Sequence, residues 1–253
     1  MNYLLFRPKY YVSLFKDVIN FIKTPHNKPD LEKSVNLKVC DTIGLFILKM
    51  ILLIPLIFFF ALVYDPENIQ SSSMTDRFSP IALLLIGGFI LPLVEEVAFR
   101  LSLIFNSIYL SLSSTILMYY FLTKAIFYTK ISAVDDSFIL RVSISIFFGV
   151  LIFLILNIKM VKEKVAEFWS SHFRSIYYIS CLIFAWIHIS KYEFIWINIL
   201  LLPILTLPQL LSAIIYGYTR VSFGFRYPLL LHITMNSVAV GLSLLPSSDL
   251  ISF

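Results

Sequence analysis

Charge is what this chain has least of. Asp, Glu, Lys and Arg make up 14% of its 253 residues, against about 25% in an ordinary soluble domain, which excludes a water-exposed globular fold. Cysteine is nearly absent. Cys40 and Cys181 stand far apart, in no ligand or redox spacing, so neither a disulfide framework nor a zinc-thiolate site is expected. Cys181 lies in an apolar run and reads as core filler. Short alternating strands are missing, which excludes a membrane barrel. The first apolar run begins only after a long charged stretch and has no small-residue cleavage site, so no signal peptide is expected. The balance of charge is positive, +5, but the basic residues gather in residues 1–42 and in short loops. Topology and anionic headgroups account for them there, and no nucleic-acid partner is expected.

What is present is apolar: 59% of the residues are hydrophobic. Runs of the length that crosses a bilayer recur along the chain. The expected fold class is all-α, a polytopic transmembrane helix bundle of about seven spans, one more or fewer. The spans read as residues 43–64, 80–99, 108–127, 142–158, 176–189, 194–218 and 228–245, with Pro203 and Pro208 interrupting the sixth. Residues 1–42 form a cytoplasmic or interfacial segment, and residues 43–253 one membrane domain. In the first segment Tyr11, Leu14, Phe15, Val18 and Ile22 share a helical face opposite Lys16, Asp17, Asn20 and Lys23. That is the pattern of an amphipathic helix at the membrane surface. Lys and Arg collect on the side of the N-terminus, placing it inside. Few glycines and many Phe and Ile suggest AT-rich codons, hence a bacterial cytoplasmic membrane. No internal repeat of the transporter kind is visible.

Against this background a few polar residues stand out. Glu95 and Glu96 lie inside LLLIGGFILPLVEEVAFR, closed by Arg100. An ionised carboxylate near mid-bilayer costs roughly 2.5–3.5 kcal/mol. Glu96 and Arg100 are four apart and can pair. Glu95 points about 100° away and lacks that partner, which makes it a candidate base or acid. His188 closes the fifth span one turn after Phe184, and His232 and Asn236 share a face of the seventh. On these boundaries Glu95 and His232 lie toward the cytoplasmic ends of their helices and His188 toward the outer end. Each feature has a plain structural reading: an end-of-helix ion pair, an interfacial histidine, helix-to-helix hydrogen bonds. Arg220 and Arg226 flank Gly224 in a cytoplasmic loop, where topology explains them. Lys49 can snorkel from the first span.

Together the groups suit a hydrolytic site. Glu95 with His188 can hold and deprotonate a water, while His232 with Asn236 can donate to the oxyanion of a tetrahedral intermediate. No serine or cysteine stands in a nucleophile motif. Glu95, His188 and His232 also match a zinc triad in number, though the H-E-x-x-H helix is missing. Metal-free chemistry is the first reading and zinc the second.

Glu95-Glu96-x-x-x-Arg100, Phe184-x-x-x-His188 and His232-x-x-x-Asn236, in that order and each in an apolar helix, resemble the three motifs of the CPBP intramembrane proteases, also called the Abi family. Ala213-Ile-Ile-Tyr-Gly217-Tyr-Thr-Arg220 is similar to the family's approach to its last motif. The resemblance spans roughly residues 80–240. It implies a helical bundle with a cavity open to the cytoplasm and CAAX-protease-like cleavage of a peptide or protein substrate. It further implies Glu95 as base, His188 as its helper, and His232 with Asn236 as oxyanion hole. Glu96, Arg100 and Phe184 are supporting residues. Two other classes stay open: a non-catalytic bacteriocin self-immunity or scaffold protein, and a transporter or proton relay. A proton relay gains nothing obvious from Asn236.

Overall fold

The computed structural model describes residues 4–64 and 66–244, so Leu245 of the expected last span lies outside them. Among the described residues the chain is all-helical, with no strand. In chain order the helices are α1 (Pro8–Lys23), α2 (Val35–Leu62), α3 (Ile69–Thr75), α4 (Pro80–Leu83), α5 (Leu91–Phe99), α6 (Ser107–Phe121), α7 (Phe138–Asn157), α8 (Lys159–Ser171), α9 (Phe173–Trp186), α10 (Trp196–Leu200), α11 (Leu202–Leu205), α12 (Leu207–Ser222) and α13 (Arg226–Ser243). A π turn, Leu84–Ile90, joins α4 to α5, and a 3₁₀ turn, Ile187–Lys191, extends α9. Four helical stretches are long and apolar enough to cross a membrane: Val35–Leu62, Pro80–Leu103, Phe138–Asn157 and Phe173–Lys191. Their exposed faces carry Ile57, Phe58, Phe89, Phe147, Leu154 and Ile183, an apolar surface of the kind lipid covers.

Local chemistry sets the helix ends. Ser34, Ser79 and Asn106 cap α2, α4 and α6, their side-chain oxygens accepting from the first backbone N–H groups; each such cap stabilises by about 1 kcal/mol. Ser34 starts α2 ahead of the expected boundary at residue 43, and within the added turns Cys40 and Asp41 are buried against Tyr10 of α1. The expected sixth span is three pieces. Breaks at Leu201 and Thr206 each fall two residues before a proline, whose ring cannot follow a helical turn and which lacks an N–H. Between the expected fourth and fifth spans the chain makes an unforeseen polar helix, α8, which buries no residue.

The core lies between α1, α2, α5, α9, α12 and α13. α1 turns Leu14, Val18 and Phe21 into it, with Phe21 edge-on to Tyr177 at 5.2 Å and Tyr218 at 5.4 Å. Much of the apolar face read from the sequence therefore packs on protein. A polar latch holds this corner: Lys33 reaches Asp41 at 2.8 Å and lies 3.7 Å from Asp17. The Tyr10 hydroxyl donates to Asp41 at 2.6 Å. Burial and that hydrogen bond push the Tyr10 phenol above its ordinary range. Elsewhere α6 and α7 touch through Gly149, where a Cβ would collide with the Thr115 hydroxyl.

Candidate functional site

The site is built on the helix that runs from Pro80 to Leu103. Pro92 has no N–H to give, and the Leu91 N–H bonds back to Ile86 across the π turn, so the carbonyls of Gly87 and Gly88 are left short of helical donors. α13 supplies them. Asn236 Nδ2 donates to the Gly87 carbonyl at 3.3 Å and Ser237 Oγ to that of Gly88 at 3.4 Å. Gly88 permits this approach, since a Cβ there would lie 2.9 Å from Ser237 Oγ. The docking brings His232, one turn earlier on α13, against the glutamate pair.

His232 sits between the two carboxylates. Its Nδ1 is 2.8 Å from Glu96 Oε1 and its Nε2 is 3.5 Å from Glu95 Oε2. A carboxylate only accepts, so Nδ1 carries the proton and donates to Glu96. That fixes the tautomer and leaves Nε2 facing Glu95, positioned to share one exchangeable proton with it. Glu96 is wholly buried, whereas the Glu95 side chain is 16% exposed. Arg100 Nη1 stands 3.7 Å from Glu96 Oε1, the pairing expected from the i, i+4 spacing. The guanidinium lies over Phe184, 3.7 Å from the ring centre, a cation–π contact in a desolvated place. Glu96 Oε2 and both Arg100 Nη atoms are buried without a hydrogen-bond partner.

His188 joins through Phe184. The Phe184 ring is 4.8 Å from that of His188 and 6.1 Å from that of His232, so the two histidines flank the same aromatic ring. This removes the mismatch in depth that the span boundaries implied. His188 Nδ1 donates to the Phe184 carbonyl at 2.7 Å, leaving Nε2 as an acceptor. Glu95, Glu96, Arg100, Phe184, His188 and His232 thus form one neighbourhood. Among the described residues, no hydrogen bond or ion pair ties His188 or Asn236 to Glu95.

Three residues near the site carry roles that sequence reasoning missed. Lys49 does not snorkel. It is 3% exposed, inside the bundle, and its ammonium donates to the Tyr216 hydroxyl at 2.8 Å. Tyr216 in turn lays its ring 4.9 Å from that of His232. Arg220 is not in a loop. It lies in α12, buried, and donates to the carbonyls of Arg100 at 3.0 Å and Leu101 at 2.8 Å, closing the helix end that carries the glutamates. The signal for Arg220 was its place in an unbroken helical pattern after Pro208. For Lys49 it was a lone cation deep in an apolar helix.

Chemically the arrangement offers a mostly buried carboxylate that keeps a small opening, a histidine of fixed tautomer and a buried counter-ion behind it. The trio Glu95, His188 and His232 does not form a metal-holding group, and among the described residues no other set of three His, Cys, Asp or Glu does. Two clefts, of about 480 and 260 Å³, lie at the N-terminal corner, around Asp17 and Lys33, and neither is lined by the glutamates. No family model, curated protein or solved structure matches the chain.

Proposed function

We propose that this chain is an intramembrane endopeptidase of the CPBP kind, hydrolysing a peptide bond with a glutamate-activated water. One observation carries the reading: the His232 ring nitrogens face Glu96 at 2.8 Å and Glu95 at 3.5 Å, so the more exposed carboxylate and the imidazole share a proton while the buried one sets the ring. In the reaction Glu95 takes a proton from water as the oxygen bonds to the peptide carbonyl carbon. The Nε2–H of His232 donates to the oxyanion that forms. The C–N bond then breaks, and Glu95 returns its proton to the leaving amine. His188 Nε2, free to accept, holds the water. The reading takes the chain as an integral protein of a bacterial cytoplasmic membrane, N-terminus inside, with about seven spans and α1 at the interface. Its substrate is a peptide or a membrane-associated protein segment.

The test is to reconstitute wild type and Glu95→Gln in liposomes and to compare the peptides each releases from a proteome-derived library. Wild type should yield products that Glu95→Gln does not. Equal yields would refute the reading. A non-catalytic, helix-organising role is favoured by one feature, the Asn236 amide spent on the Gly87 carbonyl. On that reading Glu95→Gln, which still hydrogen-bonds, leaves function intact.

A further inference from the structure

The proposed hydrolysis gives its oxyanion one donor, the Nε2–H of His232. Asn236 sits one turn further along α13, but its amide is turned to the Gly87 carbonyl at 3.3 Å, about two turns from Glu95 along the glutamate helix. A phenol on α6 is better placed. The short connection from Phe99 to Ser107 turns α6 back antiparallel along α5. Ser113, 1% exposed, fixes the register by donating from its hydroxyl to the Val97 carbonyl at 2.6 Å. Ser111, Thr115 and Tyr119 mark the opposite face of α6, which meets α7 at Gly149 and Arg141. Tyr120 stands seven residues after Ser113, two turns on and on the same stripe. That is about 10 Å back along α5. A helical side chain leans toward its own N-terminus, which returns the ring toward the level of Glu95. Tyr120 is partly buried there, and its hydroxyl lies within electrostatic reach of the Glu95 carboxylate. The Tyr119 hydroxyl donates to the Ile131 carbonyl at 2.9 Å, whereas that of Tyr120 makes no hydrogen bond among the described residues.

We propose that Tyr120 is a catalytic residue, the second oxyanion donor beside His232. This role rests on the hydrolytic reading of the site. As the water oxygen bonds to the peptide carbonyl carbon, an electron pair of the C=O bond moves onto its oxygen. The Tyr120 O–H and the His232 Nε2–H donate to the charge that forms there, and neither proton is transferred. The pair returns as the C–N bond breaks. The amine leaves with the proton that Glu95 took from the water, and the phenol ends as it began. A phenol suits the task for two reasons. With no acceptor of its own it gives up no hydrogen bond when the oxyanion arrives. As a neutral donor it leaves the charge of Glu95 free to act on the water.

The experiment uses the full chain in liposomes, as wild type and Tyr120→Phe. The probes are the library peptide that wild type cleaves best and its phosphinate analogue, in which a tetrahedral, negatively charged phosphorus centre replaces the scissile amide. Tyr120→Phe should lower kcat roughly 100–1,000-fold, the loss typical of one oxyanion donor, with KM little changed. Inhibition by the phosphinate should weaken by a similar factor, because the analogue carries the charge that the peptide acquires only in the transition state. The unfolding midpoint in mixed micelles should stay near that of wild type, since the ring is kept and no hydrogen bond within the protein is lost. A residue that merely held the fold would move the midpoint, and peptide and phosphinate binding alike. Equal cleavage by wild type and Tyr120→Phe would remove the role of Tyr120 and leave the hydrolytic reading standing. So would a fall in kcat with phosphinate inhibition unchanged. Absence of cleavage by wild type would remove the hydrolytic reading, and this role with it.

Discussion

Glu96→Gln and Glu95→Gln change the same atoms one residue apart, and the structure separates their consequences. Glu96 is wholly buried, accepts from His232 at 2.8 Å and faces Arg100 at 3.7 Å. A glutamine there still accepts from Nδ1, but the Arg100 guanidinium, 1% exposed and with both Nη atoms lacking hydrogen bonds, loses the carboxylate it pairs with. Breaking a buried pair by removing one partner costs about 3–5 kcal/mol. The loose 3.7 Å geometry and the surviving hydrogen bond place this case near 3 kcal/mol. Glu95 is partly exposed, and its nearest charged partner is 3.5 Å away, so the same change there should cost about 1 kcal/mol or less. Denaturant unfolding in mixed micelles measures both. Turnover should vanish in Glu95→Gln while its unfolding midpoint stays near wild type, whereas Glu96→Gln should lose stability first. If Glu95→Gln proves the less stable of the two, the assignment of base and anchor is wrong.

Arg220→Met should destabilise the protein by about 3 kcal/mol, since it orphans two buried carbonyls at roughly 1–3 kcal/mol each; the same micelle titration reads it. Asp135 supplies a pH dependence outside the membrane. Hydrogen bonds from Ser137 and Thr129, then the Arg141 guanidinium, hold its carboxyl well below the ordinary range. The folded loop then binds fewer protons than the unfolded one. Its support is full above about pH 4, the ordinary carboxylate value, and fades as pH falls through the lower folded value. Hydrogen exchange in residues 127–137 should therefore rise on acidification, and an Asp135→Asn protein should show that exposure at neutral pH. Chelation bears on the metal-free reading: dialysis against EDTA should leave turnover unchanged, and recovery only on adding zinc would contradict it.

How much of this could be read from the chain depended on how locally each feature is encoded. Helix propensity and long apolar runs are local, so α2, α5, α7 and α9 fell near their expected places. So did the i, i+4 geometry of Glu96 with Arg100, because 3.6 residues per turn dictates it. The fracture of 194–218 was visible in Pro203 and Pro208, but its division into three short helices was not. The π turn was hidden for a subtler reason. Pro92 withholds one helical donor wherever it sits, and only the arrival of Asn236 and Ser237 from another helix supplies the two carbonyls that the π turn and the proline leave short. Roles assigned by who lies opposite were not legible at all. Nothing in residues 43–64 says that Lys49 meets Tyr216, and Arg220 resembled any loop cation until α12 carried it to the end of the glutamate helix.

Polar groups buried in this bundle are of two kinds, and their hydrogen bonding separates them. Arg141 is wholly buried, and its guanidinium donates to Ser137, Tyr119, Thr123, the Ala133 carbonyl and Asp135. Every donor position of the fork is used, which pins the 127–137 loop onto α6 and α7 and leaves nothing for a ligand. Arg100 is nearly as buried and its Nη atoms make no hydrogen bond; one oxygen of Glu96 is equally bare, and Lys49 has a single neutral partner. A purely structural knot has no reason to carry such deficits, since each unpaired buried group costs about 1–3 kcal/mol. Selection for stability alone would fill them, as it has around Arg141. Among the described residues, three of the five bare atoms lie around His232, Trp169 Nε1 and Gln209 Oε1 being the others; in the proposed hydrolysis charge there rearranges as a proton moves, and a site that met every group in one protonation state would resist the next. The two arginines, alike in burial and opposite in saturation, thus support the proposed site more than any one motif does.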